Sequence, residues 1–207
     1  MTLFDRLFSS ARDVPTPQAQ RPAEREAVVA DSASAHQAAE LLRAPTALAQ
    51  LSEAEAMAVV SFMRPRRFKT GATILRQGDA ADTGYMALVL EGDVTVENIT
   101  ASRSSPVTLS VLGPGSLLGE MSLVDGEARS ASCTASTDVH CAVLTRDALE
   151  VLMAEQPAIG AKLMTAVAQR LAERLRESSH KLQVYAKLVR TLQEEIDALM
   201  PTPDRRM

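Results

Sequence analysis

The alternation of apolar and polar positions divides the chain into stretches with different periods. Near the start, Leu3, Phe4, Leu7 and Phe8 share one side if residues 2–9 coil, a short amphipathic segment of one or two turns. Residues 9–35, rich in Ala, Pro, Gln, Ser and charge, hold too few large apolar side chains to pack and read as a tether. From His36 the period is helical, through Leu41, Leu42, Leu48 and Leu51 and then SEAEAMAVVSFM. Ser52 followed by Glu55 is a capping box, in which each side chain satisfies a main-chain N–H at the helix start. Pro65 is expected to stop that helix.

From about Phe68 to Leu144 the period becomes two. The pieces ATILRQ, YMALVLE, DVTVEN, VTLSVL and HCAVLT are separated by Gly78, Gly92, Gly113 and Gly115, which predicts short antiparallel strands closed into a barrel or jelly roll. GEMSLVDGEARS, inside this region, does not read as strand. Beyond Pro157 the helical period returns and holds to about Met200. There Met164, Ala168, Leu171, Leu175, Ser178, Leu182, Tyr185, Val189, Leu192, Ile196 and Leu199 alternate by four and three, a heptad repeat. With Ala168, Leu175, Leu182, Val189 and Ile196 at a, and Leu171, Leu192 and Leu199 at d, the pattern predicts a parallel two-stranded coiled coil. Ser178 is a polar break at d, followed by Ser179. The predicted class is α+β: an antiparallel, jelly-roll-like β-roll flanked by helices, with a long C-terminal coiled-coil helix. Its divisions are 1–35 segment and tether, 36–156 β-roll domain with its N-terminal helices, 157–200 dimerisation helix and 201–207 tail.

Charge narrows the partners. With 22 basic and 26 acidic residues the formal net charge is -4, so no general basic excess draws the chain to nucleic acid or an anionic membrane. Basic side chains of the last helix, such as Arg170, Arg174, Arg176, Lys181, Lys187 and Arg190, interleave with Glu173, Glu177, Glu194 and Glu195, as on a solvated coiled-coil face. Cys133 and Cys141 lie in apolar, strand-like surroundings without metal-ligand spacing and read as buried thiols, which suits a reducing cytoplasm. Asp5 and Arg6 interrupt the first apolar residues, unlike a signal peptide, and no segment is long enough to span a membrane.

The chemistry gathers in LGEMSLVDGEARSAS, Leu118 to Ser132. A short helix beginning near Glu120 would aim free N–H groups at an anion. Arg129 adds a charge-assisted contact and Ser130 a further hydrogen bond. Glu120, an acceptor, suits a ribose hydroxyl instead of a phosphate. The simpler alternative is that Glu120 and Arg129 pair with each other. The scattered His36, His140 and His180 form no nucleophile, base and orienter set, so no catalytic residue, metal site or enzymatic activity is expected.

Gly71, Gly78 with Asp79, Tyr85, Gly92, Gly113, Gly115 and the run Gly119-Glu120 through Arg129-Ser130-Ala131 together resemble the cyclic nucleotide-binding domain family, from about Leu41 to Leu149. The resemblance implies an eight-stranded β-roll with helices before and after it. It implies a cassette that holds the cyclic phosphate through Arg129, Ser130 and the backbone including Met121 and Ser122, with Gly119 and Glu120 at the ribose. In the bacterial catabolite-activator branch a long dimerising helix follows, and a Thr-Ser pair on it meets adenine; RLRESSHKL is similar, with Ser178 and Ser179 at the pair. Ala128 stands where many eukaryotic members have Pro, as in the activator branch. The chain runs out in MPTPDRRM where an activator continues into a helix-turn-helix, so direct DNA binding is not expected.

These observations imply a noncatalytic receptor for a cyclic mononucleotide. Cyclic AMP is the leading ligand and cyclic GMP the competitor, and the receptor dimerises through its C-terminal helix and signals to an unidentified protein partner. The alternative is a coiled-coil scaffold or interaction protein whose β-roll no longer binds nucleotide. No cofactor is implied.

Overall fold

The computed structural model describes residues 32–98 and 107–199. The amphipathic segment Leu3 to Phe8, most of the tether and the 201–207 tail lie outside them. In order come α1 (Ala33–Leu42), α2 (Glu53–Val60), β1 (Arg64–Phe68), β2 (Thr73–Leu75), β3 (Tyr85–Glu91), β4 (Val94–Asn98), β5 (Val107–Leu112), β6 (Leu117–Leu118), α3 (Glu120–Asp125), β7 (Ser132–Ala135), β8 (Val139–Thr145), α4 (Arg146–Glu155) and α5 (Pro157–Leu199). The expected α+β class and β-roll are both present. Among the described residues eight strands form two four-stranded sheets, ordered β1-β8-β3-β6 and β2-β7-β4-β5, with antiparallel pairing throughout.

Tyr85, Ala87 and Val89 of β3 share one buried cluster with Leu75, Val94, Val96, Leu118, Cys133, Ala135, Val139, Cys141 and Val143, drawn from both sheets. Met86 and Leu88 alternate with them, face the other side of β3 and are equally closed to solvent. That side is covered too: α1 packs on β3, and α4 lies against β8. A strand buried on both faces has no polar side to show, so YMALVL reads as a continuous apolar run. Neither cysteine is in a disulfide and both are buried, as expected.

The capping box at Ser52 is present: Glu55 N donates to Ser52 Oγ at 3.3 Å, and Ser52 N donates to Glu55 Oε2 at 2.7 Å. Two expectations need correction. Helix α2 stops at Val60, before Pro65, and Pro65 lies in β1 opposite Ala142. Strand β1 is an edge of its sheet, where a residue without an N–H leaves no inner ladder bond unmade. Leu48 and Leu51 are buried but stand in the turns after α1, with Leu48 N donating to Leu42 O at 2.9 Å.

Helix α5 is 43 residues long. Its first turns belong to the β-roll unit, which ends at Val167, and Leu163, Ala166 and Val167 are buried there. Gly160 meets Met153 so closely that an added Cβ would stand 2.8 Å from Met153 Cγ, which sets the tight α4–α5 turn. Lys162 Nζ reaches both carboxylate oxygens of Glu55, at 2.8 and 2.7 Å, tying the same turns to the start of α2. Ala168 to Leu199 belong to a second unit. In it the predicted a positions Ala168, Leu175, Leu182, Val189 and Ile196 are all exposed, as are Tyr185, Leu192 and Leu199 at d, while Leu171 at d is half-buried.

Candidate functional site

The segment that did not read as strand is a helix of six residues between two left-handed glycines, Gly119 at φ 75° and Gly126 at φ 76°. Leu123 anchors it in the core, and Glu120 and Ser122 are buried with it. Its far end is held by two donors on one carbonyl: Gly126 N and Arg146 Nη2 both reach Ser122 O at 3.0 Å. Arg146 opens α4, so one side chain ties the short helix to the first turn of the helix after the roll.

Arg129 stands on the other side, in the approach to β7, and is clamped through its main chain. Its N–H donates to Asp79 O at 3.0 Å and its carbonyl accepts from Gly78 N at 2.8 Å. The loop that provides these partners is itself folded by Asp79, whose Oδ1 accepts from the N–H groups of Ala81 and Asp82. The guanidinium then donates from Nε to Asp82 O and from Nη1 to Gly119 O, both at 2.9 Å. Its Cζ lies 4.6 Å from the centroid of the Tyr85 ring. The third nitrogen, Nη2, is buried and has no hydrogen-bond partner.

The sequence alternative of a Glu120–Arg129 ion pair therefore does not occur: the guanidinium bonds only main-chain carbonyls, and among the described residues no carboxylate pairs with it. Burial disfavours the charged form and pushes the Arg129 pKa below its ordinary value, while Tyr85 and Asp82 act the other way. A buried cation bonded only to neutral acceptors, with one donor group left over, is a site short of an anion.

The remaining sequence candidates are placed as follows. Gly119, Glu120, Met121 and Ser122 form the start of α3, whose first turn leaves leading amides without intrahelical acceptors. Ser130 is exposed, with Oγ 3.8 Å from Met121 Sδ, so it joins the two ends of the segment. Ser178 and Ser179 are exposed on α5 in the second unit. Sequence reasoning gave no role to Tyr85, Asp82 or Arg146. Tyr85 carried a signal through its place among the matching residues; Asp82 acts through a main-chain carbonyl, which leaves no mark on residue type. Among the described residues no group of His, Cys, Asp or Glu is placed to hold a metal ion, and no helix is long and apolar enough to cross a membrane.

Comparison with known proteins bears on the same region. Residues 65–156 match the family model of the cyclic nucleotide-binding domain. The chain is 35% identical over 123 residues to the cyclic AMP receptor protein of Thermus thermophilus, covering 59% of this chain and 56% of the receptor. It is 34% identical over 120 residues to a cyclic nucleotide-gated potassium channel of Rhizobium etli, covering 58% of this chain and 31% of the channel. The chain thus matches about half or less of these curated relatives' lengths. A solved cyclic nucleotide-binding domain from Methylobacillus flagellatus superposes with a TM-score of 0.64 at 28% identity, over 83% of this chain and 96% of that one. The stretch that builds both sheets, the short helix and the Arg129 clamp, residues 65–156, belongs to the cyclic nucleotide-binding domain family.

Proposed function

We propose that the protein is a noncatalytic receptor for a cyclic mononucleotide, with cyclic AMP the first ligand to test and cyclic GMP the second. The observation that carries this reading is the buried Nη2 of Arg129, without a hydrogen-bond partner on a guanidinium to which no carboxylate is bonded. A cyclic phosphate supplies the missing acceptor and charge together. In this reading Arg129, Ser130 and the main chain at Met121 and Ser122 take the phosphate, and Glu120 with Gly119 takes the ribose hydroxyl. Cyclic AMP ranks first because the Thermus thermophilus relative is a cyclic AMP receptor.

The second unit provides the output. Its exposed heptad seam, with Leu175, Leu182, Val189 and Ile196 at a, fits a homodimer through the C-terminal helix. Ser178 and Ser179 are assigned to the base, which would give the polar break in the seam a partner. The ligand acts as a switch by binding one arrangement of that helix better than another, and a protein partner reads the difference. Cys133 and Cys141, buried and not joined in a disulfide, suit work in the cytoplasm.

Titration calorimetry with cyclic AMP and cyclic GMP, after removal of copurified nucleotide, tests the reading. Wild type should bind one of them, and Arg129→Lys, which keeps the charge but loses the fork, should bind at least about tenfold more weakly. Binding undiminished in that variant, or no binding by wild type, would overturn it.

A further inference from the structure

The way Arg129 is held says more than that an anion fits. A guanidinium is planar, and its two bonds to Asp82 O and Gly119 O lie along its edges. Both acceptors are carbonyls of loop or helix-cap residues, the less rigid parts of a fold. The broad face of the guanidinium rests on something stiffer. Tyr85 is 5% exposed, begins β3 opposite Thr145 of β8, and its hydroxyl donates to Ile74 O of β2 at 2.8 Å. Its ring is therefore fixed in one sheet by its backbone and in the other by its hydroxyl, and it spans the roll as a strut. With Cζ 4.6 Å from the ring centroid, the Arg129 cation sits within the range of a cation–ring attraction.

We propose that Tyr85 is a positioning and specificity-setting residue of this site: its ring fixes the plane of the Arg129 guanidinium, and so directs Nη2 to one of the two exocyclic oxygens of a cyclic phosphate. The inference rests on the cyclic nucleotide reading and deepens it. The two oxygens are distinguished only by direction, so a receptor tells them apart only if its donor is aimed. The two carbonyl bonds alone leave the guanidinium free to rock about the line that joins them. The ring removes that freedom, and it does so without a carboxylate that would compete with the ligand for the cation. An ordinary core tyrosine would contribute packing and nothing to this choice.

The probes are the two diastereomers of cyclic AMP phosphorothioate, Rp and Sp, each carrying sulfur at one exocyclic position. Wild type is expected to prefer one diastereomer. Tyr85→Phe keeps the ring face and loses only the hydroxyl tie to Ile74 O, so it should keep the direction of that preference at a reduced ratio. Tyr85→Leu should bind cyclic AMP roughly tenfold more weakly, the scale of a desolvated cation–ring contact, with the diastereomer ratio moving toward one. Should Tyr85→Leu fail to fold, phenylalanine carrying increasing ring fluorination at position 85 keeps the shape while draining the ring of its negative face, and both affinity and preference should fall stepwise. A preference unchanged in Tyr85→Leu or across the fluorinated series assigns Tyr85 to packing and overturns the inference. A wild type that binds cyclic AMP without preferring either diastereomer overturns it as well while leaving the receptor reading intact. A wild type that binds no cyclic nucleotide brings down the receptor reading first.

Discussion

Arg129 Nη1 donates to the carbonyl of Gly119 at 2.9 Å, so the side chain at one end of the cassette hangs from the residue that opens its helix at the other. Gly119 has no room for more: it has φ 75°, and an added Cβ would run into Arg129 Nη1 and stand 3.2 Å from Leu75 Cδ1. Gly119→Ala should therefore cost about 1–3 kcal/mol of stability from backbone strain. It should also displace the guanidinium and weaken nucleotide binding beyond what the stability loss explains. Urea unfolding and calorimetry on the same variant separate the two effects, and full affinity in a destabilised variant would contradict the coupling.

The thiols give a second expectation. Burial pushes the Cys141 pKa up to about 12, and both Cys133 and Cys141 lie in the cluster between the sheets. Near neutral pH neither should react with a thiol reagent faster than the roll opens. Labelling should be slow in native protein, complete in denaturant, and slower still with saturating ligand. Rapid labelling of native protein would show that the two sheets separate readily.

How far the residues announced these features depended on which atoms do the work. Glu120 and Arg129 were legible because charged side chains at a set distance within spaced glycines are conspicuous, and the capping box at Ser52 and Glu55 because it is written in residue types. Strand β1 was not: RPRRF has no alternation, since an edge strand with most of its side chains in solvent imposes none. Four-residue β7, with its half-buried Ser132 and Thr134, was equally faint. The clamp on Arg129 was hidden for another reason, because its acceptors at Asp79, Asp82 and Gly119 are carbonyl oxygens that any residue would bring. Only the fold shows that Nη2 is left without a partner.

The seam of the second unit makes a prediction about mass. Leu175 and Leu182 are each 68% exposed and Val189 is 65% exposed, a row of apolar side chains of the kind that marks an interaction surface. Sedimentation equilibrium should give a dimer. Leu182→Lys combined with Val189→Lys places like charges in the seam and should yield a monomer, with helix content falling at the C-terminal end and the β-roll unchanged. A wild-type monomer at micromolar concentration would remove the homodimer from the proposal.

The ion pair between Glu55 and Lys162 predicts how acid acts on the base of α5. Hydrogen bonds from Lys162 and then from the Ser52 main chain lower the Glu55 pKa from 4.5 to about 2. The folded value lies below the unfolded one, so the pair's contribution is complete above about 4.5 and is lost as pH falls through about 2. Asp138, held by Lys69 and the Thr70 main chain, is likewise lowered to about 2 and loses its contribution in the same direction. The two are told apart by removing one partner at a time. Lys162→Met should be less stable than wild type near neutral pH, with the gap closing between about pH 4.5 and 2, whereas Lys69→Met should leave the α2–α5 tie untouched. The pair is exposed to solvent and its effect should shrink in high salt. Urea midpoints across that pH range at low and high salt measure this directly, and a gap independent of pH would show that Lys162 contributes through its alkyl stem and not its charge.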